Sequence, residues 1–143
     1  MIINSYHSHD FQQLDPAVRQ QYAEFLHQHL DQYGDSLPAI LTCFDYVMNH
    51  GGWAFTLNVN EALAGVCVFN ETHMNGYIPE NILVYIAVDT QHRGKGLGKS
   101  LIEEALKHVK GDVALHVEAN NPAKKLYEKL GFTNPYLEMR LKR

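Results

Sequence analysis

Gly94, Gly96 and Gly98 stand close together, with His92, Arg93, Lys95 and Lys99 around them. Glycine lets a backbone approach a ligand closely. The residues before the loop, Ile82 to Val88, form an apolar run rich in β-branched side chains, which reads as a buried strand. After it, Leu97, Leu101, Ala105 and Val109 repeat at helical spacing. A helix that opens behind a glycine loop has free amides and a positive dipole end there. Free amides, a dipole end and cations together form a cradle for phosphate. Spacing excludes two common cradles. A P-loop needs a glycine five positions before Gly98-Lys99-Ser100, and Arg93 stands there. A dinucleotide fingerprint needs G-x-G-x-x-G, which Gly94-x-Gly96-x-Gly98 does not supply.

Gln91-His92-Arg93-Gly94-Lys95-Gly96 instead fits Gln/Arg-x-x-Gly-x-Gly/Ala at every fixed position. This resembles the pyrophosphate-binding motif of the GNAT superfamily of N-acetyltransferases. A second constellation follows: Asn120-x-x-Ala123-x-x-x-Tyr127-x-x-x-Gly131-Phe132. It resembles the second GNAT motif, and the order of the two matches the family. The resemblance covers nearly the whole chain.

The resemblance implies an acetyltransferase that uses acetyl coenzyme A as co-substrate and no metal. The backbone from Arg93 through Gly94, Lys95, Gly96, Leu97, Gly98 and Lys99 to Ser100, with Gln91 and His92 before it, would hold the pyrophosphate. Ile86, Ala87 and Val88 would offer backbone partners to the pantetheine arm, as an added strand would. Asn120 and Ala123 would complete the coenzyme site between two parting strands. An acceptor primary amine, on a small molecule or a peptide, would attack the thioester directly. Tyr127 would return a proton to the leaving thiolate, its pKa of about 10 standing near the roughly 8.5 of a thiol. As a residue on the stripe Ala123, Leu126, Tyr127 and Leu130 it reads equally as core. The base is less legible. Glu118 is the expectation, sharing a strand face with His116, while Glu80 precedes the central strand and His73 lies in the loop before it. Tyr33, His50, Tyr77 and Glu80 are the expected lining of the acceptor pocket. A coenzyme-A-binding module without transfer is the alternative.

The elements that must position these residues are legible in turn. Ile2 to Tyr6 reads as a strand, and Asp15-Pro16 opens a helix that ends at Gly34. Val18, Tyr22, Phe25, Leu26, His29 and Tyr33 mark its buried face. A second helix starts at Ser36-Leu37-Pro38 and stops at Gly51-Gly52. Trp53 to Val59 and Leu63 to Phe69 alternate about Asn60-Glu61, as a hairpin does. Val113 to Glu118 is a further strand, Asn120-Asn121-Pro122 caps a helix over Ala123 to Leu130, and Tyr136 to Leu141 alternates as a last strand. The fold class is α/β in mixed α+β layers: a GNAT-like central mixed sheet, about four flanking helices and a shortened C-terminal strand region.

A chain of 143 residues fits a single domain, taken as 1–143. Its formal charge of −4 gives no general attraction to nucleic acid or to an anionic membrane. No apolar run approaches the roughly 20 residues of a membrane span. The N-terminus lacks a signal peptide, and Cys43 and Cys67 suggest no disulfide framework, so the expected location is the cytoplasm. The nine histidines lack metal-ligand spacing. An unpaired sheet edge near the end of the chain points to a possible homodimer.

Overall fold

The computed structural model describes residues 1–143. A five-stranded sheet runs in chain order, β1 (Ile2–His7), β2 (Gly52–Val59), β3 (Ala62–Glu71), β4 (Asn81–Val88) and β5 (Val113–Leu115). All neighbours are antiparallel except β4 and β5, which are parallel. The hairpin between β2 and β3 turns on Asn60 and Glu61, both with positive φ, the tight turn that matches strand twist.

Five helices cover the two faces: α1 (Ser8–Gln13), α2 (Pro16–His29), α3 (Leu37–Asn49), α4 (Leu97–His108) and α5 (Ala123–Lys129). Asp15 and Ser36 cap α2 and α3, accepting from Ala17 N at 2.8 Å and Ala39 N at 3.3 Å. Helices α1 to α3 pack Phe11, Phe25, Leu26, Ile40, Phe44 and Val47 against Val66 and Val68. Helices α4 and α5 pack Leu101, Ile102, Ala105 and Tyr127 against Phe55, Cys67 and Phe69 on the other face.

Helix α1 escapes sequence reading because it is six residues long and has a single buried side chain, Phe11. Helix α2 ends at His29, and Tyr33 lies on a short 3₁₀ turn beyond it. Two strand expectations are corrected. Strand β5 ends at Leu115, so His116 and Glu118 sit on an irregular, exposed segment and share no strand face. Tyr136 to Leu141 forms no strand: the residues alternate, but their backbone finds no neighbouring strand, and Tyr136, Leu137, Met139 and Leu141 stay exposed. Alternation alone supplies no ladder; a strand needs a partner.

Candidate active site

The site starts from an irregularity in β4. Phe69 pairs with Leu83 and Val68 with Tyr85, which leaves Val84 as an extra residue, a β-bulge. The pairing of β4 with β5 stops at Leu83, where the bulge begins. Beyond it the two strands part. Asp89 N donates to Ala64 O of β3 at 2.8 Å, so by strand alternation Ala87 faces β3 and the backbones of Ile86 and Val88 face the gap. The expectation for Ile86, Ala87 and Val88 is therefore revised: the backbone of Ala87 is directed to β3. The Val88 carbonyl is already engaged, accepting from Arg93 Nε at 3.2 Å.

The glycine loop follows directly. Asp89 caps a 3₁₀ turn over Thr90–His92, accepting from Gln91 N at 2.9 Å. Gly94 and Gly96 hold φ of 80° and 77°, a region that L side chains rarely adopt. A Cβ added at either would meet nothing within 4 Å, so open space lies above the loop. Ser100 is the first residue of α4 whose N–H reaches a carbonyl, that of Gly96 at 3.1 Å. The amides of residues 94–99 are left without a partner in the chain. This arrangement fits a pyrophosphate, and acetyl coenzyme A is the group that would be held here. Gly98 differs from its neighbours. It lies inside α4, and an added Cβ would make only ordinary contact with Leu126 Cδ2 at 3.6 Å.

The cations divide. Lys95 and Lys99 are exposed and unpaired. Arg93, expected to face the pyrophosphate with its charge, spends its guanidinium elsewhere. Nη2 donates to His29 O at 2.5 Å and Nη1 to Asp31 Oδ2 at 3.3 Å. The side chain ties the end of α2 to the coenzyme loop. His29 supports the same joint: it is buried, and its Nδ1 accepts from Thr90 N at 3.4 Å. Sequence reading placed His29 on the buried face of its helix but gave no sign of this partner, because the contact spans 61 residues of chain.

The second constellation comes to the other side of the gap. Asn121 Oδ1 caps α5 by accepting from Ala123 N at 2.9 Å. Asn120 is exposed and its side chain is free, while its carbonyl accepts from the Tyr33 hydroxyl at 3.3 Å. A cavity of about 420 Å³ beside it is lined by Asn120, Lys124 and Lys125 among others. Tyr127 is 8% exposed and its ring packs edge-on to Phe132 at 5.9 Å. Its hydroxyl makes no hydrogen bond within the chain. Burial, with Cys67 nearby, pushes its pKa up to about 12. Burial disfavours the phenolate, so this value stands above the ordinary one on which the comparison with a thiol rests.

The remaining candidates for a base divide as well. Glu80 Oε2 accepts from Asp112 N at 3.3 Å, and the His73 ring bonds the His50 carbonyl, so both serve the backbone. Tyr77 is 80% exposed. Glu118 and His116 are exposed beyond β5 with free side chains. No three His, Cys, Asp or Glu side chains come together to hold a metal ion. No helix is long and apolar enough to cross a membrane.

Residues 50–134 match a family model described as the acetyltransferase (GNAT) domain. Over 60 residues the chain is 42% identical to a mycothiol acetyltransferase of Catenulispora acidiphila, covering 38% of this chain and 19% of that protein. The chain thus spans about a fifth of the length of the curated relatives it matches. Among solved structures, the ribosomal-protein-S18-alanine N-acetyltransferase of Escherichia coli superposes with a TM-score of 0.70 at 21% identity, over 94% of this chain and 80% of that one. An aminoglycoside 6'-N-acetyltransferase of Acinetobacter haemolyticus gives 0.71 at 15% identity, over 100% and 98%. At such identities the likeness is one of fold.

Proposed function

Because the chain belongs to the GNAT acetyltransferases, we propose that it is an N-acetyltransferase, moving an acetyl group from acetyl coenzyme A to a primary amine. The observation that carries this reading is the alignment of the gap with the cradle. The gap opens at Val84, and the strand that forms its wall runs on into the loop with the free amides of residues 94–99. Acetyl coenzyme A supplies the activated acyl group; the chain's residues place it. The amides of residues 94–99 bind pyrophosphate, with Lys95 and Lys99 adding charge. The N–H groups of Ile86 and Val88 hold the pantetheine arm from one side and the Asn120 side chain from the other. A main-chain N–H at the bulge polarises the thioester carbonyl. Tyr127 returns a proton to sulfur, and Glu118 accepts one from the incoming amine. The acceptor is a small molecule or peptide amine; the relatives' names include both kinds. The chain acts as one domain in the cytoplasm.

The test follows thiol release from acetyl coenzyme A across a panel of amines, with calorimetry of coenzyme A against Mg-ATP. Coenzyme A binding with amine-dependent thiol release is expected. Tighter binding of Mg-ATP, or no binding of coenzyme A, overturns the reading. A second reading, a coenzyme-A-binding module without transfer, is favoured by one observation. Tyr127 is buried with its ring against Phe132, as a residue that only packs would be. Coenzyme A binding with no thiol release to any amine would select it.

A further inference from the structure

The loop between α2 and α3 touches every wall of the gap, and each contact comes from alternate residues. Asp31 meets Arg93 of the coenzyme loop at 3.3 Å. The Tyr33 hydroxyl reaches the Asn120 carbonyl at 3.3 Å. Asp35 Oδ2 accepts from the Tyr85 hydroxyl of β4 at 2.6 Å. Asp31 holds a φ of 53°, in the left-handed region that aspartate tolerates better than most residues. The loop therefore bridges the parting strands from the α2 and α3 face, opposite α4 and α5.

Asp35 is the charge this bridge presents. It is exposed, and no Lys or Arg pairs with it. Tyr85 is 8% exposed and stands immediately after the bulge. Its hydroxyl fixes Oδ2, while Oδ1 has no hydrogen-bond partner within the chain. The groups packed around the pair make their hydrogen bonds to other atoms. Cys43 of α3 donates to Asn70 Oδ1 of β3 at 3.6 Å, and the His27 ring meets only the Asp35 carbonyl, at 3.2 Å. Burial and the Asp35 carboxylate raise the Tyr85 pKa, so its hydroxyl remains a donor.

We propose that Asp35, oriented by Tyr85, receives a cationic group of the acceptor at the mouth of the gap. This rests on the acyl-transfer reading above and names the acceptor class. In the reading above Glu118 takes the proton of the reacting amine, so an ammonium held on Asp35 belongs to a second nitrogen. Asp35 therefore binds a second positive charge, and the acceptor is an amine that carries another ammonium or guanidinium. A charge-assisted bond to a fixed carboxylate favours such an acceptor over one with a hydroxyl in its place.

Calorimetry on protein saturated with coenzyme A tests this with short aliphatic diamines against the matching amino alcohols. The parent should bind the better diamine about 10-fold or more tightly than its amino alcohol. Asp35→Asn should lose that preference while coenzyme A affinity stays unchanged, and Tyr85→Phe should lose part of it. In turnover, Asp35→Asn should raise KM for the diamine and leave kcat for amino alcohols unaltered. Equal binding of diamines and amino alcohols by the parent overturns the proposal, as does a preference that survives in Asp35→Asn. Discriminating binding without thiol release overturns acyl transfer and keeps the cation site, so the two failures separate.

Discussion

Leu83 and Tyr85 stand two residues apart on β4 yet face opposite sides of the sheet. Leu83 packs with Leu101 and Ile102, and Tyr85 with the residues of α2 and α3. A regular strand would put both on one face. Val84 makes the difference, lying on the same side as Tyr85. The bulge thus sends Tyr85 toward Asp35, and it lies at the point where the pairing of β4 with β5 ends.

Deletion of Val84 isolates that role. The residues on both sides of it keep their faces and their β3 partners, because alternation without Val84 is already correct. The variant is expected to fold, with far-ultraviolet circular dichroism like the parent's, and to lose coenzyme A binding as β4 straightens toward β5. Parental affinity in a folded deletion variant would show that the gap does not depend on the bulge.

The two kinds of glycine in the loop should separate in a pair of substitutions. Gly96→Asp places a side chain and a negative charge in the open space over the cradle, and aspartate tolerates positive φ better than most residues. Coenzyme A binding should vanish in calorimetry while the melting curve stays close to that of the parent. Gly98→Ala meets only ordinary contact at Leu126 and gains helix propensity, so stability should rise by up to about 1 kcal/mol. Undiminished coenzyme binding in Gly96→Asp would remove the cradle.

Tyr127→Phe deletes a hydroxyl that has no partner within the chain and leaves the ring against Phe132. Stability should change by about 1 kcal/mol or less. If the hydroxyl protonates the leaving thiolate, kcat should fall by roughly 10²- to 10⁴-fold, with KM for acetyl coenzyme A little altered. Full activity in the Phe variant would return Tyr127 to a packing role.

Alkali should unfold the protein, and the sign follows from burial. Tyr22 and Tyr127 rise from 10.0 to about 12 and Cys43 from 9.0 to about 12, all chiefly by desolvation. A group whose pKa is raised in the folded state adds stability that is complete below its unfolded value. That stability is lost as pH climbs toward the folded value. Urea midpoints should therefore be flat up to about pH 9 from these groups and fall progressively toward about pH 12. Midpoints unchanged near pH 10.5, measured against about pH 7, would contradict the burial of these groups.

The family, the glycine loop, the strand before it and the helix behind it were all written in local spacing. So were both helix caps at Asp15 and Ser36 and the turn at Asn60-Glu61, because each depends on residues a few positions apart. The sequence also carried the alternation of Tyr136 to Leu141, which no neighbouring strand completes. Tertiary structure alone decided the rest. The bulge at Val84 exists only as a mismatch between two strands, and an apolar run reads the same with or without it. Arg93 looked like a coenzyme cation until its fork met His29 and Asp31, more than 60 residues earlier. Tyr127 owes its burial to side chains of β3 and to Phe132, which only the fold brings around it. Asp35 carried no signal, since a lone aspartate in a turn acquires meaning only from the hydroxyl of Tyr85 that a folded sheet brings to it.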